Sequence, residues 1–158
     1  MKVYDYLVIG SGIAALDFAR KAAVTGRVAV VTKRNVEESN SSYAQGGVAA
    51  VWEAGDSFDS HAADTIAAGQ GLCNTETVRA MVSEGPARVA ELIELGVGFS
   101  RDKTNPVGFD LGLEGGHSHR RVLHANDATG REIMTWYFSF WVIKHKRRLF
   151  QLKNSHIN

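Results

Sequence analysis

The sequence lacks several features that would assign a protein to a class directly. Cys73 is its only cysteine, so no internal disulfide can form, and we expect a reducing compartment. The formal net charge of the 158 residues is +1, whereas a dedicated nucleic-acid-binding protein would be strongly basic. No basic stretch followed by a long apolar run opens the chain, so no signal peptide is expected. These absences favour a cytoplasmic protein made of one domain, or of part of one.

The N-terminal part of the chain alternates between apolar runs and glycines. Tyr6–Ile9 is a short apolar run typical of a buried parallel strand, and Val28–Val31 is a second β-rich run. Between them lies a glycine turn followed by an apolar helical stripe. In such a unit Gly10 makes the turn, Gly12 lets a pyrophosphate approach the backbone, and Ala15 lets helix and strand pack. The pattern predicts an α/β nucleotide-binding fold; a purely structural turn is the alternative.

The acidic residue that commonly holds a ribose hydroxyl is missing from this unit. It is expected about 20 positions after the glycine turn, at the end of the second strand. Thr32 and Lys33 stand there instead. The Thr32 hydroxyl could still bind a ribose, and Lys33 could face a phosphate or an adenine edge. A generic NAD site is therefore disfavoured.

A loop rich in small polar residues follows, from Asn40 to Gly47, and leads into a short apolar strand. Its backbone and hydroxyl groups would suit a flat polar ligand such as the edge of an isoalloxazine ring. A surface loop with a turn at Gly46 and Gly47 is the alternative.

The segment from Glu114 to Arg131 combines three histidines, three arginines and a carboxylate with almost no apolar residues. Arginine matches a carboxylate through two parallel hydrogen bonds, so the segment predicts a site for a small carboxylate. A metal site and structural hydrogen bonding are the alternatives, while no serine at a nucleophile elbow supports a catalytic triad. The substrate-binding candidates are Glu114, His117, His119, Arg120 and Arg121.

Four segments, in this order, resemble the L-aspartate oxidase family: GSGIAAL, NSSYAQGGVAAV, DSFDSHAADTIAAG and EGGHSHRRVLHANDATGREI. That family is the flavoprotein of bacterial NAD biosynthesis, related to the flavoprotein subunits of fumarate reductase and succinate dehydrogenase. The resemblance covers about Val3 to Ile133 and only the opening part of a family member. It implies FAD as the cofactor and an α/β fold that is an incomplete, truncated Rossmann-like FAD-binding domain with a parallel sheet.

The resemblance also implies which residues hold FAD. In the succinate dehydrogenase branch, a histidine five residues before the loop glutamine attaches the flavin covalently; Asn40 stands at that position, so the FAD is expected to be non-covalent. The implied cofactor residues are Gly10, Ser11, Gly12, Ile13 and Ala14 at the pyrophosphate, Lys33 near the adenosine half, and Asn40, Ser41, Ser42, Tyr43, Ala44, Gln45, Gly46 and Gly47 along the flavin.

The activity implied is oxidation of L-aspartate to iminosuccinate, with dioxygen or fumarate reoxidising the flavin and quinolinate synthase acting downstream. Such a substrate needs cations for two carboxylates and a carboxylate near its amine, and we hypothesise that Glu114 reads the ammonium group. The family's proton-transferring arginine and carboxylate-clamping histidines lie beyond Ile133. No catalytic residue is therefore assigned in this chain, which we expect to turn over little or nothing alone.

Helices are expected between the two long motifs. Asp56 or Ser57 would cap the first, which passes through Ala62 and Ile66 with His61 solvated, and Asn74 would cap the second. The second helix carries Val78, Met81 and Val82 on one stripe. A third helix, carrying Val89, Leu92 and Ile93, would begin at Pro86 and stop at Gly96, and Phe99–Gly112 would form a loop covering the site.

The resemblance stops after Ile133. Five of the ten residues from Met134 to Ile143 are aromatic, and basic residues follow them. This run is shorter than the roughly 20 residues that a membrane-spanning helix needs. We expect residues 1–133 to be the N-terminal part of the FAD-binding domain and 134–158 to be an unrelated tail outside the fold; an interfacial membrane anchor is the alternative.

Three hypotheses for function remain at this point. The first is a flavin-dependent L-aspartate oxidase. The second is a flavoprotein of the fumarate reductase or succinate dehydrogenase type, against which Asn40 and Glu114 speak. The third is a non-catalytic remnant, such as a nucleotide-binding module or a membrane-associated fragment.

Overall fold

The computed structural model describes residues 3–33, 35–145 and 149–151, with side chains up to Ser139. The chain divides into two compact units, one formed by residues 1–44 and 130–158 and the other by residues 45–129. The elements in chain order are β1 (Tyr6–Ile9), α1 (Ile13–Ala22), β2 (Val28–Thr32), α2 (Asn40–Tyr43), β3 (Val48–Ala49), α3 (Phe58–Ala68), α4 (Thr75–Glu94), β4 (Leu111–Gly112), β5 (Val122–Leu123), α5 (Thr129–His145) and β6 (Leu149–Gln151).

The first unit contains a parallel sheet, with strand order β1-β2-β6 in the described residues. Strands β1 and β2 pair in register from Tyr6 with Val28 to Ile9 with Val31. Leu16 and Ala19 of α1 are fully buried, as is Val30 of β2. Burial of an aliphatic side chain such as Leu16 contributes roughly 1.5–3 kcal/mol. The predicted strand, glycine turn, helix and strand are confirmed, and the apolar stripe of α1 packs as its spacing requires. The expected burial of the first strand is wrong: Val8 is buried, but Leu7 is 65% exposed and Ile9 is 82% exposed.

The second unit contains a short antiparallel sheet and two packed helices. The strand order is β3-β5-β4. Helices α3 and α4 bury a cluster of Ala62, Val78 and Val82, against which Ile66 and Cys73 pack. The predicted caps are confirmed, since the side chains of Ser57 and Asn74 accept hydrogen bonds from the first turns of α3 and α4.

The prediction of two helices from 74 to 96 is wrong. Helix α4 runs unbroken from Thr75 to Glu94 with Pro86 inside it. Val82 and Val89 are buried on either side of the proline, and their packing outweighs the one backbone hydrogen bond that proline removes. The stop at Gly96 is confirmed by its φ of +99°, a left-handed conformation that glycine adopts without strain.

Four other expectations of burial or structure also differ. Met81 is 62% exposed rather than on the buried stripe of α4, and His61 is only 7% exposed rather than solvated. The loop from Asn40 begins with the short helix α2. The expected loop Phe99–Gly112 ends in β4, and Phe99 and Phe109 are buried in it.

The boundary expected after Ile133 falls inside helix α5. Met134 and Tyr137, just beyond it, are buried, and the Tyr137 hydroxyl donates to Asp17 Oδ1 at 3.2 Å. Strand β6 pairs in parallel with β2. The remainder of the expected tail, 146–148 and 152–158, lies outside the described residues. In the part of the chain that the structure describes, no helix combines the length and apolar character needed to cross a membrane.

Candidate functional site

The glycine turn after β1 has the backbone geometry that the sequence predicts. Gly10 has a φ of +111°, and its amide donates to the Val31 carbonyl of β2 at 2.8 Å. A Cβ atom built at Gly10 would meet nothing within 4 Å. Backbone conformation rather than crowding therefore requires glycine here, and the space beside the turn is open to a ligand.

The N-terminus of α1 suits an anion. Gly12 is its N-cap and has no side chain with which to cap it, and the first turn of α1 carries no acidic residue. The first orphan amide, that of Ile13, donates to Ser41 Oγ at 3.1 Å, and Ile13 and Ala14 are exposed. The partial positive charge of the helix end is therefore left for a phosphate.

The polar side chains next to this turn are placed differently from one another. Ser11 is buried, and its hydroxyl lies 3.3 Å from the Thr32 hydroxyl, which is buried as well. The Thr32 hydroxyl thus already contacts Ser11 inside the fold, and its suggested contact with a ribose stays a prediction. Lys33 is exposed at the end of β2, where it remains available to a phosphate or an adenine edge.

The first half of the polar loop, residues 40–44, lies in the first unit. Ser39 caps α2 by accepting from the Ser42 amide at 3.2 Å, and the Ala44 carbonyl accepts from the Gly130 amide at 2.9 Å. Asn40 and Tyr43 are exposed. Ser42 and Tyr43 line a cavity of about 600 Å³ that the sequence did not indicate. Its other lining residues are Asn35, Glu37, Glu38, Arg131, Met134, Thr135, Phe138 and Ser139.

The second half of the loop, Gln45 to Gly47, lies in the second unit. The Thr129 hydroxyl donates to the Gly46 carbonyl at 3.2 Å. A Cβ atom at Gly47 would collide with the Leu123 carbonyl of β5, so packing of β3 on β5 requires this glycine. Gln45 and Gly46 line a cavity of about 410 Å³ together with Glu114. Glu114 Oε1 would lie only 3.4 Å from a Cβ atom at Gly46, so glycine leaves room for the carboxylate.

Arg121 is fully buried and forms a structural ion-pair cluster. Its Nε and Nη2 donate to the two carboxylate oxygens of Asp56, both at 2.8 Å, and its Nη1 donates to Asp64 Oδ2 at 2.7 Å. Nη2 also reaches Ser60 Oγ at 3.3 Å. With its donors engaged inside the fold, Arg121 fits the alternative of structural hydrogen bonding and not the substrate role.

The two aspartates of this cluster are held ionised. Backbone and side-chain hydrogen bonds from Ser118, with further ones from Arg121, lower the pKa of Asp64 to about 2. Burial alone would raise the pKa of Asp56, but the hydrogen bonds from Arg121 and Ser57 outweigh it and lower that pKa. Both carboxylates therefore carry charge at neutral pH.

The histidines of the segment Glu114–Arg131, the candidate segment, lie in different surroundings. His117 packs edge-on against His61, with ring centroids 5.8 Å apart, and the Nδ1 atoms of both are buried with no hydrogen-bond partner in the described residues. Burial, followed by the charge of Arg121, lowers the pKa of His61. His119 is 38% exposed, and its Nδ1 contacts Ser60, Ser118 and Arg121.

Arg120 and His124 complete the segment. Arg120 is exposed and donates to the Leu111 carbonyl at 3.2 Å. His124 lines the cavity beside Glu114, with its Nε2 3.4 Å from Asp110 Oδ2. Among the described residues, no group of three histidine, cysteine or acidic side chains is arranged to hold a metal ion.

Sequence reasoning missed Asp56, Ser60 and Asp64 as partners of the candidate segment. Their spacing of four residues places Ser60 and Asp64 on one face of α3, with Asp56 before its start. That spacing was visible in the sequence, but the segment that it faces lies more than fifty positions away.

The turn, the helix end and the parallel sheet together define a nucleotide-binding α/β domain. The model of the FAD binding domain family matches residues 5–146. The chain therefore belongs to the FAD binding domain family, and FAD is the cofactor that this membership indicates.

Named relatives and solved structures agree with this assignment. The L-aspartate oxidase 2-a of Nicotiana tabacum is 52% identical over 132 residues, which are 84% of this chain and 20% of the relative. The L-aspartate oxidase 1 of Ralstonia nicotianae is 47% identical over 84% of this chain and 25% of its own length. The quinol fumarate reductase structure from E. coli has a TM-score of 0.84 at 28% identity, over 94% of this chain and 26% of that chain. The chain thus spans about a fifth to a quarter of the length of these curated relatives.

The comparisons confirm the predicted family resemblance and FAD as the cofactor. They leave the individual site residues as predictions, which the geometry sorts into two groups. Glu114 lines a cavity with the second half of the polar loop, whereas Arg121 holds the fold together.

Proposed function

We propose that the protein to which this chain contributes its FAD-binding part oxidises L-aspartate to iminosuccinate. Relatives named L-aspartate oxidase, at 44–52% identity, support the proposal. The observation that carries it is the cavity of about 410 Å³ in which Glu114 stands beside Gln45 and Gly46. A carboxylate next to the glycine pair of a polar loop suits a substrate that brings an ammonium group.

The residues present fit FAD on the side of the nucleotide. The open turn at Gly10 and the start of α1 after Gly12 would hold the pyrophosphate, with Ser11, Ile13 and Ala14 contributing backbone, and Lys33 would lie toward the adenosine. When bound, FAD supplies the acceptor for the hydride of the substrate α-carbon and passes the electrons on to dioxygen or fumarate. Asn40 cannot form the covalent bond that a histidine would, so the cofactor is held non-covalently.

Glu114 acts on the substrate rather than on the cofactor in this proposal. Its carboxylate pairs with the ammonium group and orients the α-carbon, and hydrogen bonds to charged groups contribute about 1.5–3 kcal/mol. Succinate and fumarate have no ammonium group, so they gain nothing from Glu114. His117, His119 and Arg120 remain candidates for the substrate side of the site.

The related proposals concern the context of the reaction. The product would pass to quinolinate synthase in NAD biosynthesis, and the compartment would be the cytoplasm. Because three quarters or more of the relatives' length lies outside the stretch they share with this chain, we expect the 158 residues alone to turn over little or nothing. The divergence of the chain after Ile133 stays a prediction.

A fumarate reductase or succinate dehydrogenase type flavoprotein is the second candidate. The TM-score of 0.84 to the fumarate reductase structure favours it. The identity of 28% to that structure is lower than the 52% to a named L-aspartate oxidase, and Asn40 and Glu114 also favour the oxidase.

Replacing Glu114 by glutamine tests the proposal in a full-length protein that carries this segment. We expect kcat/KM for L-aspartate to fall roughly tenfold to a hundredfold, because a charged hydrogen bond is lost, with fumarate reduction unchanged. Anaerobic bleaching of the flavin by L-aspartate gives the first reading, and reoxidation of the reduced flavin by fumarate gives the second. Glu94→Gln, at an exposed position of α4, is the matched control. Equal losses with both dicarboxylates would contradict the role of Glu114.

A further inference from the structure

In the second unit, a group of polar side chains around His119 forms hydrogen bonds whose donors and acceptors can be assigned. Ser118 and His119 face Ser60 and Asp64 of α3. The Ser118 amide and hydroxyl both donate to Asp64 Oδ2, each at 2.8 Å. The Ser118 hydroxyl also lies 3.0 Å from His119 Nδ1. Ser60 Oγ lies 3.0 Å from Ser118 Oγ and 3.2 Å from Nδ1, and its hydrogen is assigned to the shorter contact, with Ser118.

The single hydrogen of the Ser118 hydroxyl is used on Asp64. Toward His119, the Ser118 oxygen can therefore only accept. If Nδ1 carried no proton, two lone pairs would face each other across 3.0 Å. A proton on Nδ1 turns this contact into a hydrogen bond and completes a chain from His119 through Ser118 to Asp64.

The hydrogen bonds of Arg121 are consistent with a proton on His119 Nδ1. Arg121 Nη2 has two hydrogens, and they go to Asp56 Oδ1 at 2.8 Å and to Ser60 Oγ at 3.3 Å. Its approach of 3.4 Å to His119 Nδ1 therefore requires no further hydrogen. Asp56 Oδ1, at 3.6 Å from Nδ1, favours a proton on that nitrogen.

The charge around the ring is negative. Asp56 and Asp64 bring two negative charges, and Arg121 compensates one of them. In the described residues, every polar contact of the His119 ring is made through Nδ1, and its side chain is 38% exposed. The other ring nitrogen is thus left as an acceptor beside a net negative charge, which suits a cationic donor and not a carboxylate.

We propose that neutral His119 carries its proton on Nδ1, held there by Ser118 and Asp64, and presents Nε2 as an acceptor for a protonated amine. The ligand half of this assignment rests on the proposed function, in which the amine is that of an amino-acid substrate. Ser118 and Asp64 are positioning residues, since they act only through the imidazole. This assigns His119 to the ammonium group, whereas the sequence alone pointed to carboxylate recognition by the histidine and arginine segment.

The tautomer is measured on the 158-residue chain by nitrogen-15 NMR of the histidine rings. We expect the His119 ring proton on Nδ1 in the unsubstituted chain, and we expect Ser118→Ala to remove this preference. Ser60→Ala is the matched control and should retain it, because the Ser118 acceptor stays in place. A His119 proton on Nε2, or rapid exchange between both tautomers as in a free histidine, would overturn the proposal.

The ligand is tested by adding L-aspartate or succinate to a full-length protein that carries this segment. L-Aspartate should shift the Nε2 resonance of His119, and succinate, which lacks the amine, should not. Equal shifts with the two compounds, or no shift with either, would overturn the assignment of the amine. The tautomer does not depend on flavin reduction, so failure of the oxidase proposal and failure of this one are distinguished.

Discussion

Replacing Asp64 by asparagine should destabilise the second unit, and the loss should depend on pH. Asp64 Oδ2 accepts hydrogen bonds from the Ser118 amide, the Ser118 hydroxyl and Arg121 Nη1. Asparagine has nearly the same shape but carries no charge. The fully buried guanidinium of Arg121 would then retain only Asp56 as a counter-charge, so the variant mimics the protonated aspartate.

The magnitude follows from the pKa of Asp64, which is lowered from its ordinary 3.8 to about 2. Each pKa unit is worth about 1.36 kcal/mol, so ionised Asp64 stabilises the folded state by about 2 kcal/mol at pH 7. Because the pKa is lower in the folded state, this contribution is complete above about pH 5 and is lost as the pH falls. Roughly half of it remains at pH 3, and little remains at pH 2.

Urea unfolding followed by tryptophan fluorescence measures this loss at pH 7 and at pH 3. Asp59→Asn is the matched control, because Asp59 also belongs to α3 and pairs with an arginine, Arg79, but its side chain is 83% exposed. We expect the control to lose at most about 1 kcal/mol. A loss at pH 7 no larger than that of the control, or one that is undiminished at pH 3, would refute the reasoning.

Two further predictions concern packing, and both use unfolding free energies as the measurement. Gly130→Ala should lower the free energy of unfolding by about 1–3 kcal/mol, because the new Cβ atom would press on the carbonyls of Ser41 and Ala44. Gly115→Ala is the control and should change little, because nothing lies within 4 Å of its Cβ position. Equal effects of the two substitutions would contradict this account. Val82→Ala should lose about 2 kcal/mol and Met81→Ala less than about 0.5 kcal/mol, since Val82 is 3% exposed and Met81 is 62% exposed. A larger loss for Met81 would restore the stripe expected from the sequence.

Strands β1 and β2 and helix α1 of the first unit were predictable because their signals are local. The apolar run at Tyr6–Ile9, the glycine turn and the stripe through Leu16 and Ala19 lie within about 20 positions of one another. Each neighbouring pair of elements packs directly, so periodicity alone defines strand, turn and helix. The helix caps at Ser57 and Asn74 were predictable for the same reason, since a cap acts within one turn.

The features that were not predicted depend on contacts between residues far apart in the sequence, which local patterns do not contain. Proline usually begins a helix or ends one, yet Val82 and Val89 hold α4 together across Pro86 because both are buried in the second unit. The sequence pattern around His61, which follows a polar cap, predicts a solvated side chain, but His117 packs edge-on against it from fifty-six positions away. The charge of Arg121, sixty positions away, also acts on it. In both cases tertiary packing overrides a local preference.

Arg120 and Arg121 show that side chains able to bind a ligand do not by themselves define a binding site. The two side chains are adjacent in the sequence and equally able to bind a carboxylate, but successive residues entering a strand point to opposite faces. Arg121 meets Asp56 and Asp64 and is fully buried, while Arg120 stays exposed. The carboxylates that satisfy Arg121 belong to the protein, so its binding capacity is already used. The cluster anchors the residues that enter β5, and the substrate-binding roles of Glu114 and His119 stay proposals.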